Sequence, residues 1–194
     1  MAPAAKQPVF YYDLGSPECY LMAETVLRAL PVVPEWEPVP AHRLAPAEDA
    51  QGHATPGPDR TLIELRAAQL GLQPLRWPRT WPPDTRMAML AATFAKRAGR
   101  AVAFSLAAFR QSFAGGRDLG DENTVLLAGA ACELHPAALL KGIALRSVSE
   151  ALHTATARAA AAGVCALPAL EHDGEVFAGD DAISRLACAL GIAA

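Results

Sequence analysis

What this chain lacks narrows it before any motif is read. Its 194 residues include four cysteines, Cys19, Cys132, Cys165 and Cys188, yet no C-x-x-C. Their wide spacing excludes a zinc ribbon and a locally encoded two-cysteine redox centre. The five histidines, His42, His53, His135, His153 and His172, show no H-E-x-x-H or other metal-ligand spacing, so no metal is expected. No uninterrupted apolar run approaches the ~18 residues needed to cross a bilayer. The net charge is −3, with no long run of either sign, so the basic patch that nucleic acid requires is missing. Residues 1–8 lack the apolar core of a secretion signal. Internal repeats and low-complexity tails are missing too. These absences imply a cytoplasmic chain with reduced thiols, working without nucleic acid or membrane.

What is present is a large hydrophobic fraction, 52%, enough for a substantial core. The length suits one domain, or one domain carrying a large insertion. Val9 to Asp13 reads as a first strand. It stops at Leu14-Gly15, and a helix pattern starts at once. Ser16 is a good N-cap, because its hydroxyl can accept a free N–H of the first turn. Pro17 suits the first helical position, where its missing N–H costs nothing. Tyr20, Leu21, Ala23, Val26, Leu27 and Leu30 then form a stripe at helical spacing. Ser16 therefore sits at a strand-to-helix turn, at the positive end of a helix dipole. An anion such as a thiolate is stabilised there.

Val33 to Val39 predicts a second strand, and its prolines make it short or an edge. Residues 41–58 have no period and read as loop. Helical patterns follow over Asp59–Leu70, over a run capped by Asp84 that ends near Gly99, and over Val102–Phe113. Two more cover Val125–Leu134, capped by Asp121, and Pro136–Ile143. Ser147 and Glu150 read as a capping box for an alanine-rich helix that stops at Gly163. The proline-rich stretch from Pro74 to Pro83, with Trp77 and Trp81, reads as an ordered loop between two of these helices. The end changes character: two short apolar runs flank Asp173-Gly174, a strong hairpin signal, and Gly179-Asp180-Asp181 opens a last helix. The order is β-α-β, about five helices, then β-β-α. This is an α/β chain with a thioredoxin-like core and a large all-helical insertion. Its first half covers 8–40, the insertion 59–162 (its last helix shared with the core), and the second half 163–191.

At this point the chain resembles the 2-hydroxychromene-2-carboxylate isomerases and kappa-class glutathione transferases, a branch of the group that includes bacterial disulfide-forming oxidoreductases. The family opening, a strand followed by aromatic–Asp–x–x–Ser-Pro, matches Tyr12-Asp13-Leu14-Gly15-Ser16-Pro17. The family ending matches Gly163-Val164-Cys165-Ala166-Leu167-Pro168, then Asp173-Gly174 and Gly179-Asp180-Asp181. The resemblance implies roles. Ser16 would hydrogen-bond the sulfur of glutathione, or of another low-molecular-weight thiol, and hold it as thiolate. Pro168 would be a cis-proline facing that helix end, exposing the backbone of Leu167 to the thiol peptide. Asp181, with Asp180, would hold the γ-glutamyl ammonium. The implied reaction is isomerisation of an aromatic or conjugated small molecule by reversible thiolate addition. A homodimer is implied as well.

Two departures stand out. Many relatives carry an aromatic residue after Ser-Pro, whereas this chain has Glu18, a carboxylate that suits the helix dipole but repels a thiolate. Ser16-Pro17-Glu18-Cys19 is also the oxidoreductase C-P-x-C with its attacking cysteine replaced, and one cysteine cannot cycle an intramolecular disulfide. Arg60, Arg76, Trp77, Trp81 and Arg86 are candidates to line a substrate site, with surface exposure and packing as the competing explanation. Two other readings stay open. One is a redox protein forming mixed disulfides through Cys19 or Cys165. The other is a non-catalytic thioredoxin-like binding module. Cys132 and Cys188 are expected as small buried hydrophobes on helices.

Overall fold

A computed structural model describes residues 6–44 and 57–191, so most of the predicted 41–58 loop, His53 included, lies outside the described residues. Strand β1 (Val9–Tyr12) leads through helix α1 (Pro17–Ala29) to β2 (Glu35–Pro38) and a short 3-10 turn at Ala41–Arg43. Six helices follow: α2 (Arg60–Gln69), α3 (Arg86–Arg97), α4 (Ala101–Phe113), α5 (Glu122–Ala130), α6 (Pro136–Ile143) and α7 (Arg146–Ala161). The chain closes with β3 (Ala169–His172), β4 (Glu175–Ala178) and α8 (Ala182–Ala189). The sheet order is β2-β1-β3-β4. β1 runs parallel to β2 and antiparallel to β3, and β3 pairs antiparallel with β4. This is the expected thioredoxin-like arrangement of βαβ and ββα units with helices between them. None of the described helices is long and apolar enough to cross a membrane.

β1 is buried along its whole length, because both faces of the sheet are covered. Successive side chains on a strand point to opposite faces. Phe10 and Tyr12 therefore enter the larger core, with Trp36, α1, α3 and α4, while Val9 and Tyr11 pack beneath with Val39, Ala159 of α7 and Val164. The larger core contains a continuous aromatic chain. Tyr12 meets Phe109 with ring centroids at 5.9 Å, Tyr20 stacks on Phe113 at 5.5 Å, and Trp81 reaches Phe113 at 5.9 Å. Buried Tyr12 also shares a 2.6 Å hydrogen bond with Ser105, tying β1 to α4.

β2 is an edge strand, as its prolines predict. Its buried Glu37 accepts from Lys96 Nζ of α3 at 2.6 Å and from Arg158 of α7, and Lys96 also reaches Glu35 at 2.6 Å. These bonds fasten the edge to two helices. The hairpin turn places Asp173 and Gly174 at φ 50° and 84°, the left-handed pair that a two-residue turn requires.

Two helix starts differ from expectation. α7 begins at Arg146 with Leu145 as N-cap and no side-chain cap bond. Ser147 instead accepts from Arg97 of α3 at 2.9 Å, and Glu150 pairs with Arg146 at 2.6 Å. The capping box fails because tertiary and i,i+4 partners claim both of its side chains. α3 likewise has Thr85, not Asp84, as N-cap, although Asp84 still accepts from the Arg86 N–H at 3.0 Å.

Gly142 of α6 lies against the Phe94 ring of α3, where an added Cβ would sit 2.3 Å from a ring carbon. Alanine is intrinsically the better helix former, yet here it overpacks. We expect Gly142→Ala to lower stability by about 2 kcal/mol in urea unfolding, within the range for overpacked cores.

Candidate active site

Three chain segments leave the sheet at one end. β1 delivers Asp13–Ser16 from its C-terminus. In the antiparallel register Tyr11 faces Ala169, so the Leu167–Pro168 bond, just before β3, comes to the same end. Ala169 in turn faces Ala178, which brings Gly179–Asp181 there too. The expected segments are therefore brought together by strand register, although more than 140 residues separate the first from the other two in sequence.

The first turn is organised by Asp13. Its carboxylate is buried. Oδ1 accepts from the Gly15 N–H at 2.8 Å and, at 3.4 Å, from the Thr85 hydroxyl, and Oδ2 accepts from the Ala41 N–H at 2.8 Å. Its carbonyl accepts from the Ser16 N–H at 3.1 Å. Gly15 permits a close approach: an added Cβ would stand 2.9 Å from Thr85 Cγ2. Sequence reading quoted Asp13 as part of a motif and missed this role. The available signal was an acidic residue just after an apolar strand and two positions before a glycine.

Ser16 is the N-cap of α1, with φ −91° and ψ 123°, and its Oγ accepts from the Cys19 N–H at 3.1 Å. Its own proton goes to Glu18 Oε2, at 2.9 Å. Ser16 and Glu18 are both half-buried. Cys19 is fully buried and receives the Asp13 N–H on sulfur at 3.4 Å. Burial pushes its thiol well above the usual range, and the polar contacts of Ser16 and Asp13 offset this only in part. A neutral, buried thiol is a poor nucleophile.

The Leu167–Pro168 peptide is cis, as expected. Leu167 and Pro168 are half-buried, and Cys165 nearby is exposed. The two aspartates separate in role. Asp180 is ion-paired with Arg66 of α2, a partner 114 residues away that carries no local signal in sequence. Asp181 occupies the N-cap of α8 without a side-chain cap bond, and Arg185 approaches it to 3.8 Å. Its carboxylate stays open to solvent.

The proposed lining residues divide. The Arg60 guanidinium lies 4.7 Å above the Trp77 ring, and Trp77 Nε1 donates to Glu64 at 2.7 Å. Trp77 and Trp81 meet edge-on at 5.2 Å. Through Phe113 and Tyr20 they lie against α1, close to the Ser16 turn, and Pro83 and Thr85 from the same loop pack on Gly15. This loop therefore walls one side of the site. Arg76 and Arg86 are exposed. Two open clefts of about 380 and 400 Å³ lie elsewhere, around Lys96 and the opposite end of β2. Of their charged residues, Lys96 and Arg158 are engaged with Glu35 and Glu37, and Arg97 and Arg100 bind Ser147 and Glu133. Cys188 is exposed on α8 rather than buried, whereas Cys132 is buried in the turn after α5.

A helix N-terminus and the Leu167–Pro168 segment brought by register to one end of a four-stranded sheet is the arrangement of a thioredoxin-like fold. The chain matches the DSBA-like thioredoxin domain over residues 9–191 and belongs to that family. Among solved structures it is similar to a 2-hydroxychromene-2-carboxylate isomerase, with a TM-score of 0.79 at 18% identity, covering 96% of this chain and 95% of that one. It is also similar to the cytosolic disulfide reductase DsbM of Pseudomonas aeruginosa, with a TM-score of 0.65 at 17% identity, covering 97% and 100%. The structure of that reductase with GSH matches with a TM-score of 0.65 at 15% identity, covering 96% and 100%. At these identities the likeness is one of fold. No curated protein matches the chain in sequence.

Two outcomes follow from this geometry. Asp13→Ala strands two backbone donors, and we expect it to cost about 3 kcal/mol, with Asp13→Asn losing roughly half of that, in chemical denaturation. Iodoacetamide on the native protein should modify Cys165 and Cys188 and spare Cys19 and Cys132, as read by peptide mass spectrometry.

Proposed function

We propose that the protein is a thiol-dependent isomerase of the 2-hydroxychromene-2-carboxylate isomerase type, using glutathione or a similar small thiol on an aromatic or conjugated substrate. The observation that carries this reading is a serine, not a cysteine, capping α1 at the same end of the sheet as the Leu167–Pro168 segment. A serine there can hold a sulfur brought by a ligand, while the one cysteine left in the motif is buried. The positive end of the α1 dipole favours a bound thiolate.

The thiol's peptide backbone lies along the Leu167–Pro168 segment in extended form. Its ammonium group is held by Asp181, since Asp180 is already neutralised by Arg66. The Trp77–Trp81 loop supplies an apolar wall for a flat substrate. The thiolate adds to the conjugated carbon, forming an S–C bond as the π pair moves onto the substrate's carbonyl oxygen. The former double bond rotates, the pair returns, and the S–C bond breaks to release the isomer and the thiol. The protein contributes positioning and an activated nucleophile.

A second reading rests on exposed Cys165, next to the Leu167–Pro168 segment. It is a redox role through a mixed disulfide, and Cys165→Ser separates the two because it leaves the isomerase reading intact.

Isothermal titration of glutathione is the first test. The wild type should bind. Asp181→Ala should bind at least tenfold more weakly, about 1.4 kcal/mol, and Ser16→Ala should retain binding while losing isomerisation of a 2-hydroxychromene-2-carboxylate. Equal binding by wild type and Asp181→Ala would remove Asp181 from the site.

A further inference from the structure

The Ser16 hydroxyl has one proton, and Glu18 holds it. Oγ donates to Glu18 Oε2 at 2.9 Å while accepting from the Cys19 N–H at 3.1 Å. A thiolate at this helix end needs that proton for itself, and it would sit beside a carboxylate. Both conditions oppose ionisation of the bound thiol. A carboxylate at the second helical position does suit the macrodipole. That benefit, however, does not require a bond to the capping hydroxyl.

Resting on the thiol-site reading above, we propose that Glu18 is the catalytic base of this site, taking the proton of the incoming thiol and keeping it through the addition step. The thiol arrives as R–SH. Its proton passes to a Glu18 oxygen, and the electron pair stays on sulfur. Glu18 is then neutral and releases the Ser16 hydroxyl, which turns to donate to the thiolate. After addition, rotation and elimination, the proton returns from Glu18 to sulfur. The Glu18–sulfur pair carries one negative charge throughout, first on the carboxylate and then on sulfur or substrate. No oxidant or reductant is consumed.

The neighbouring groups leave this task to Glu18. On the same turn, Asp13 is buried with both oxygens engaged, and the Cys19 thiol is buried. Asp84, before α3, accepts from the Arg86 N–H. From α8, Asp180 is paired with Arg66 of α2, and Asp181 is at the N-cap facing Arg185. Glu18 is half-buried and bonded to the very hydroxyl that meets the thiol.

The test is a glutathione titration of wild type and Glu18→Gln at neutral pH with two readouts. Thiolate formation is read by ultraviolet difference absorbance, with S-methylglutathione as the reference ligand. Proton release is read by calorimetry in two buffers of different ionisation heat. The wild-type complex should show thiolate absorbance with no net proton released. In Glu18→Gln, any thiolate that forms should be matched by about one proton released per thiolate. Wild-type binding that releases about one proton, wild-type binding with no thiolate signal, or proton-neutral thiolate in the variant would each overturn the role of Glu18 and leave the thiol site standing. No binding of glutathione by wild type would overturn both.

Discussion

The buried carboxylate of Asp13 is the constraint on which the site depends. Its side chain binds the Gly15 N–H inside the strand-to-helix turn, the Ala41 N–H after β2 and the Thr85 hydroxyl at the start of α3. Three segments distant in sequence thus share one acceptor. Burying a carboxylate is costly unless its lone pairs are filled, so the arrangement holds only with all of these donors in place. The direction in which Ser16 enters α1 follows from it.

Around that turn the chemistry of the fold is altered while its geometry is kept. The resolving-position cysteine survives as Cys19, but burial makes it a packing residue with a suppressed thiol. The attacking position carries a hydroxyl, that of Ser16, which cannot form a disulfide. Membership of the DSBA-like family therefore indicates the scaffold, and the side chains on the first turn of α1 indicate what the scaffold can do.

Two kinds of contact hold the surrounding helices in register with this end of the sheet. One is apolar: the aromatic chain from Tyr12 through Phe109 and Phe113 to Trp81 and Trp77 joins the central strand to the loop beside Ser16. The other is ionic. Arg66 of α2 grips Asp180, while Lys96 and Arg158 grip Glu37 at the far edge. The exposed pair contributes little to stability. Its effect is local, neutralising one of two adjacent aspartates and leaving the other open.

The sequence by itself determined the elements whose signals are local. The Ser16-Pro17 cap, the Asp173-Gly174 turn, the glycines after α2 and α7 and the helical stripes all act within a few residues, where backbone conformation and nearest hydrogen bonds decide. The site residues of the two chain ends were legible for the same reason, as motifs. Tertiary structure decided the rest. Leu145 replaced Ser147 as a cap because Arg97 from another helix took the Ser147 oxygen. Cys188 faces solvent because the packed face of α8 is set by Ala182 and Leu186. Asp13 became a hub, Asp180 lost its free charge to Arg66, and the Ser16 proton went to Glu18. A side chain's hydrogen-bond capacity is small, and which partner fills it depends on what the fold brings within about 3 Å, a distance that sequence separation does not encode.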